Sequence, residues 1–147
     1  MKYIVEIMLL KPENENLVKE LNLFGLKNIK RVIKNKIYSI SGDIDKNKID
    51  FIAKELLVDP IVENYKILTK IKKNPSQTIV NIWYRPEVLD VVSLYVKKGI
   101  KYLGLEEELE IHSGTQIWIT PKVEEKKIKS IIEKNFMNPL IQQYEII

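Results

Sequence analysis

The chain has 147 residues, 45% of them apolar and 30% charged, with no Cys and a single His, His112. This balance fits a soluble globular chain, and it excludes disulfides, thiolate metal sites, Cys nucleophiles and multi-His metal sites. The net charge of +4 divides unevenly, as 15 Lys/Arg against 10 Asp/Glu over residues 1–77 and 9 against 10 over residues 78–147.

Tyr3 to Leu10 reads as a first strand, nearly all apolar and so central in its sheet. Glu6 inside that run, with no small-residue cleavage site after it, argues against a signal peptide. No apolar stretch reaches the ~18 residues of a membrane span. Pro12 ends the strand. Leu17, Leu21 and Phe24 then share one face of a short helix stopped by Gly25. The sequence predicts a hairpin of 28–34 with 36–41 turning at Asn35, a second helix from about Asp45 to Val58, and a strand over Ile61–Leu68. Thr69 to Gln77, polar and carrying Pro75, reads as a linker.

The same series follows again. A strand covers Thr78–Tyr84, and a helix running to Leu103 presents Val88, Val91, Val92, Tyr95, Val96 and Ile100 on its apolar face. A hairpin of 107–112 with 115–120 turns at Gly114. Thr120-Pro121 reads as an N-cap with proline at the first helical position, and the last strand is Leu140–Ile147. The two series align at one constant spacing, without a gap. Asp59-Pro60 through Ile67 falls on Asn138-Pro139 through Ile146, and Gly25-Leu26 on Gly104-Leu105, with 9 of 44 positions identical from Gly25 to Leu68. Upstream, Lys11-Pro12-Glu13 matches Arg85-Pro86-Glu87 if the first copy is five residues shorter. The expected fold is therefore α+β: two ferredoxin-like β-α-β-β-α-β repeats, 1–68 and 78–147, joined by 69–77. Each repeat has a bare sheet face, and packing as an intramolecular pseudo-dimer covers both.

The repeat unit resembles PurS, the small subunit of phosphoribosylformylglycinamidine synthase in purine biosynthesis. Four features carry the resemblance: a first strand ending in Lys-Pro or Arg-Pro; Pro86-Glu87-Val88-Leu89-Asp90 leading into a helix that reaches Gly104 without a gap; the hairpin position of Asn35 or Gly114; and the Asp/Asn-Pro-hydrophobic-hydrophobic-x-x-Tyr-x-Ile ending. The family unit is about half this length and self-associates, so the chain resembles two units fused. The first copy lacks the Val-Leu-Asp segment, and the second has Glu87 and Ser93 at usual glycines. The resemblance implies a cytoplasmic, non-catalytic subunit without a cofactor. Such a subunit bridges a glutaminase and a large ATP-dependent synthetase to support glutamine-dependent amidation.

Candidate partner contacts are Arg85, Glu87 and Asp90 at the start of the long helix, and two edges of opposite sign. Glu106 and Glu110 occupy the slots of Lys27 and Arg31, so these edges are expected either to lie near each other or to select different subunits. His112 reads as a plain strand residue rather than a general base, because no second His can orient it. The run Glu106-Glu107-Glu108 reads as a solvated strand edge, since neighbouring carboxylates point to opposite faces. Tyr65, Tyr144, Trp83 and Trp118 read as core or interface aromatics. One rival is a duplicated ferredoxin-like module sensing a small molecule, but the loops KPENEN and RPEVLD lack glycine. RNA binding would need a Gly-aromatic motif where only Tyr38 and Trp118 stand, so neither nucleic acid nor membrane is expected as a partner.

Overall fold

The structure is a computed structural model, and it describes residues 1–12 and 15–147. Glu13, part of the Lys-Pro-Glu match, lies outside the described residues. Six strands form one antiparallel sheet: β1 (Lys2–Leu9), β2 (Arg31–Gly42), β3 (Glu63–Leu68), β4 (Thr78–Tyr84), β5 (Leu109–Thr120) and β6 (Gln142–Ile146), in the order β3-β1-β2-β5-β4-β6. The helices are α1 (Glu15–Leu23), α2 (Lys46–Ile52, running on into a π-helical turn, Ala53–Leu57), α3 (Val91–Tyr102) and α4 (Glu125–Asn135). Gly25, at φ +102°, follows the end of α1, and the Asp45 side chain caps α2 by accepting from Lys48 N–H at 2.9 Å.

The α+β class and the antiparallel sheet match the sequence reading, but the hairpins do not form. Residues 31–42 and 109–120 are each one continuous strand, so each half contributes three strands rather than four. Asn35 and Gly114 lie mid-strand, and neither has a positive φ. What straightens them is the partner each strand finds. β2 and β5 pair with each other through 12 residue pairs, from Arg31↔Thr120 to Gly42↔Leu109. The halves therefore meet edge to edge in one sheet, not face to face, and each long strand satisfies the other's free hydrogen-bonding edge. Lys36 and Thr115, which the repeat alignment places in equivalent positions, are paired with each other.

Strand register also adjusts the upstream alignment. Glu6↔Ile37 corresponds to Asn81↔Gln116, so β1 and β4 are offset by four positions fewer than the later elements of the two halves. Leu10 then takes the place of Arg85: Leu10 N–H donates to Val62 O, as Arg85 N–H does to Ile141 O, both at 2.9 Å. The Lys-Pro and Arg-Pro pairs are thus one residue out of step in space.

All helices lie on one side of the sheet, above two cores that each draw on both halves. Val96 and Ile100 of α3 pack with Ile49, Ile52 and Ala53 of α2 over Val5, Ile7 and Ile40. Leu21 of α1 packs with Ile128, Ile131 and Ile132 of α4 over Val80, Ile82, Ile117 and Ile119. The first helix of each half thus sits against the second helix of the other. Gly99 admits the close approach of α3 to Leu56, whose Cδ2 would stand 2.8 Å from an added Cβ. The rest of the predicted α3 face is solvent-exposed: Val91, Val92 and Tyr95 are 49%, 43% and 67% accessible. The Thr120-Pro121 start is displaced as well. Thr120 ends β5, the bond to Pro121 is cis, and α4 begins at Glu125 after Glu124.

Candidate functional site

The helix-free side of the sheet carries a chain of polar side chains. Asn35 Nδ2 donates to Gln116 Oε1 (3.2 Å), and Gln116 Nε2 donates to Asn81 Oδ1 (3.0 Å). Asn81 Nδ2 and Trp83 Nε1 both donate to Glu145 Oε1, at 3.0 and 3.3 Å. Asn35, Asn81 and Gln116 are buried, as is Glu6. Burial raises the pKa of Glu6, opposed by its hydrogen bond with Gln116 and by the charge of Lys66. Strand periodicity marked these positions only as facing away from the helices. Residues 69–77, which hold no helix or strand, pass over the same side of the sheet. That segment leaves β3 at one edge and reaches β4 four strands away, roughly 19 Å at the usual strand spacing. It crosses the helix-free side as a strap and shares a recess with Glu6, Lys66 and Trp118.

The predicted contact residues divide. Asp90 is built into the fold. Its Oδ1 accepts from Ser93 N–H (3.0 Å) at the start of α3 and from Ser113 Oγ (2.7 Å), while its Oδ2 accepts from Ser93 Oγ (2.6 Å) and Ser113 N–H (2.8 Å). β4 pairs with β5 only as far as Gly114, so Asp90 serves the next strand donor and pins the helix to the sheet. Burial pushes its pKa up, but the four bonds outweigh that and hold it below the usual carboxylate value. Arg85 also ties elements together, its Nε donating to Pro139 O at 2.8 Å. Glu87 is exposed beside them.

The two charged edges are not adjacent. Arg31 pairs with Thr120 at one end of the β2–β5 ribbon, and Glu110 pairs with Ser41 at the other, ten residues or about 33 Å along it. Lys27 lines a recess with Lys122 and Lys127, and Glu106 one with Glu107 and Lys101. Lys48 of α2 pairs with Glu107 in a partly exposed bridge that lowers the Glu107 pKa, so the acidic run is not wholly a solvated edge. Equivalent corners of the two halves therefore carry opposite charge, far apart.

His112 is a strand residue, yet it has a partner that sequence reasoning missed: its Nε2 lies 3.0 Å from Glu110 Oε1. The two are separated by two strand positions and so share a face. Ser39 stands directly across from His112, but no side-chain hydrogen bond joins them among the described residues. Tyr65 and Tyr144 flank the two cores, and their hydroxyls donate to Asp50 and Glu133. Asp50 is followed by Lys54 four residues on, whereas the corresponding pair is Lys129 and Glu133; the tyrosine has followed the carboxylate. Among the described residues no three His, Asp or Glu side chains are grouped to hold a metal ion. Among the described residues no helix is long and apolar enough to cross a membrane.

Residues 77–147 match the family PurS, described as phosphoribosylformylglycinamidine (FGAM) synthase. The match spans 71 of the 147 residues. No curated protein matches it. The matched PurS stretch contains Arg85, Glu87, Asp90, Glu106 and Glu110, while Lys27 and Arg31 lie in the unmatched half. It runs from just before β4 to the last residue of the chain. Its α3 bears the exposed apolar residues Val91, Val92, Leu94, Tyr95 and Tyr102, and Leu89 is exposed just before the helix.

Proposed function

We propose that this chain is the small, non-catalytic subunit of a phosphoribosylformylglycinamidine synthase complex of purine biosynthesis. In that role it bridges a glutaminase and a large ATP-dependent synthetase in the cytoplasm, so that amidation can draw on glutamine. The observation that carries this reading is the PurS match over residues 77–147. An exposed apolar helix on that half supports a protein partner, since isolated apolar surface of this kind favours association.

We further infer that residues 1–68 are a second, diverged unit of the same kind, joined by 69–77, and that the chain serves as its own dimer. The constant spacing of the aligned segments supports this, as does the mutual pairing of Lys36 and Thr115, the relation a twofold axis would impose. On this reading Lys27 and Arg31 at one end, and Glu106 and Glu110 at the other, present different surfaces to the two larger subunits. Glu87, exposed beside the α3 start, is a third contact. Arg85 and Asp90 hold its shape.

The test is reconstitution with the two larger subunits. Glutamine-dependent turnover is expected to require this chain, and ammonia-dependent turnover is expected to proceed without it. Undiminished glutamine-dependent turnover in its absence would overturn the proposal.

A further inference from the structure

The recess beneath the strap encloses about 630 Å³ between residues 70–77 and the helix-free side of the sheet. Four lysines line it, Lys66, Lys70, Lys72 and Lys73. None of the four forms an ion pair among the described residues. The one carboxylate in the wall, Glu6, is buried and engaged with Gln116. Trp118 closes the sheet side, and its Nε1–H has no acceptor among the described residues.

We propose that this recess binds one small organic phosphate per chain, its phosphate oxygens among Lys66, Lys70, Lys72 and Lys73 and its apolar portion against Trp118. Four like charges around one concave space repel each other and focus a positive potential into it, and a multiply charged anion relieves that repulsion. Ammonium groups suit phosphate oxygens because each offers three donors without a fixed plane. An aromatic wall beside convergent polar groups is the usual make-up of a small-molecule site.

The other half argues that the feature is particular to the strap. Counting by strand register, Ile4, Ser39, Trp83 and Glu145 correspond to Ile79, Trp118, Met8 and Lys66. They line a recess of about 280 Å³ with no strap across it. There a carboxylate stands where Lys66 does, and a serine where Trp118 does, so only one of the two positions carries the cationic wall. The volume and the covering strap favour a small anion over a nucleic-acid backbone.

Calorimetric titration of the full chain at fixed ionic strength, with sodium pyrophosphate, phenyl phosphate and sodium sulfate, tests this without any partner subunit. The two phosphates are expected to saturate a single site more tightly than sulfate. The K70Q/K72Q/K73Q variant changes only exposed side chains, and its fold is checked by circular dichroism. It is expected to bind both phosphates at least tenfold more weakly. W118F is expected to weaken phenyl phosphate more than pyrophosphate. The proposal is overturned by heats that merely follow ionic strength, or by affinities unchanged in the triple-Gln variant. A duplex oligonucleotide that binds more tightly than either phosphate would also overturn it, marking the lysines as a general polyanion surface.

Discussion

Replacing Gly114 by Asn puts a side chain where β4 passes closest to β5. A Cβ at this position would press on the backbone carbonyl oxygen of Ile82 and stand 3.0 Å from Trp83 Cε3. The carbonyl belongs to a paired strand, so it cannot swing aside as a side-chain tip could. To restore van der Waals distance, β4 must move by about 1 Å, a shift that a close-packed interior resists. Ile82 is only 1% exposed, within the core that holds Ile117 and Ile119, so the shift reaches the packing beneath α4. Overpacking of this kind costs about 1–3 kcal/mol for the first carbon. At about 2–4 °C per kcal/mol, Ala at 114 should lower the Tm by about 2–12 °C. Asn should cost more than Ala. Gly104 supplies the control: it sits at φ +83° with nothing within 4 Å of an added Cβ, and Asn there should cost about 1 kcal/mol or less. Thermal and urea denaturation followed by circular dichroism measure both variants. A hairpin turn at 114 would accept Asn, as position 35 does. If G114N melts with the parent protein, or if G104N proves the more damaging, the continuous-strand account is refuted.

Other outcomes follow from the same geometry. Asp90→Ala removes four hydrogen bonds and leaves the Ser113 donors without their acceptor, so it should cost about 2–3 kcal/mol by urea titration at neutral pH. The folded-state pKa of Asp90 is depressed. Its contribution is therefore present above the unfolded value and lost as pH falls through the folded one, and the gap between parent and variant should narrow with acidification. Tyr65 and Tyr144 have pKa values pushed up to about 12, and burial raises that of Tyr38, so three of the seven tyrosines should ionise late in an ultraviolet titration. Because those values are raised, the associated stability is intact below about 10 and fades as pH climbs toward 12; early ionisation of all seven would contradict it. Reversing Glu106 and Glu110 to Lys should leave the Tm within about 2 °C, since both are exposed and neither pairs with Lys or Arg among the described residues. The same reversal should weaken co-purification with one larger subunit and spare the other.

Local physics left clear marks in the sequence, and long-range pairing left few. β4 was legible to the residue, because Thr78–Tyr84 is apolar and bounded by a polar segment and by Arg85-Pro86. Gly25 as the stop of α1 was legible for the same reason. The hairpins were misread because Asn35 and Gly114 suit a turn as well as they suit what they do here. What decides between the two is a partner strand in the other half of the chain, which no local window contains. The exchange of first helices was hidden in the same way: Leu21 looks apolar whichever half it covers. At the candidate site, Glu6 stood out as an acid in an apolar run. Asn35, Asn81 and Gln116 looked like ordinary outward-facing residues, and only the fold shows them buried and bonded to one another. Asp90 could be read as a cap from its place before Val91, but its second set of bonds, to Ser113, could not.

The seam between β2 and β5 lies within one chain, and this sets how the protein responds to dilution. An assembly held by an equivalent seam between separate chains loses it as concentration falls, and its melting point falls with it. Here the two long strands are tethered by residues 69–77, so each meets the other at an effective concentration fixed by a short strap, not by the amount of protein present. Opening of this seam is unimolecular, so dilution alone should not promote it. The chain therefore carries its two charged ends in constant proportion, one basic end for every acidic end, however little of it is made.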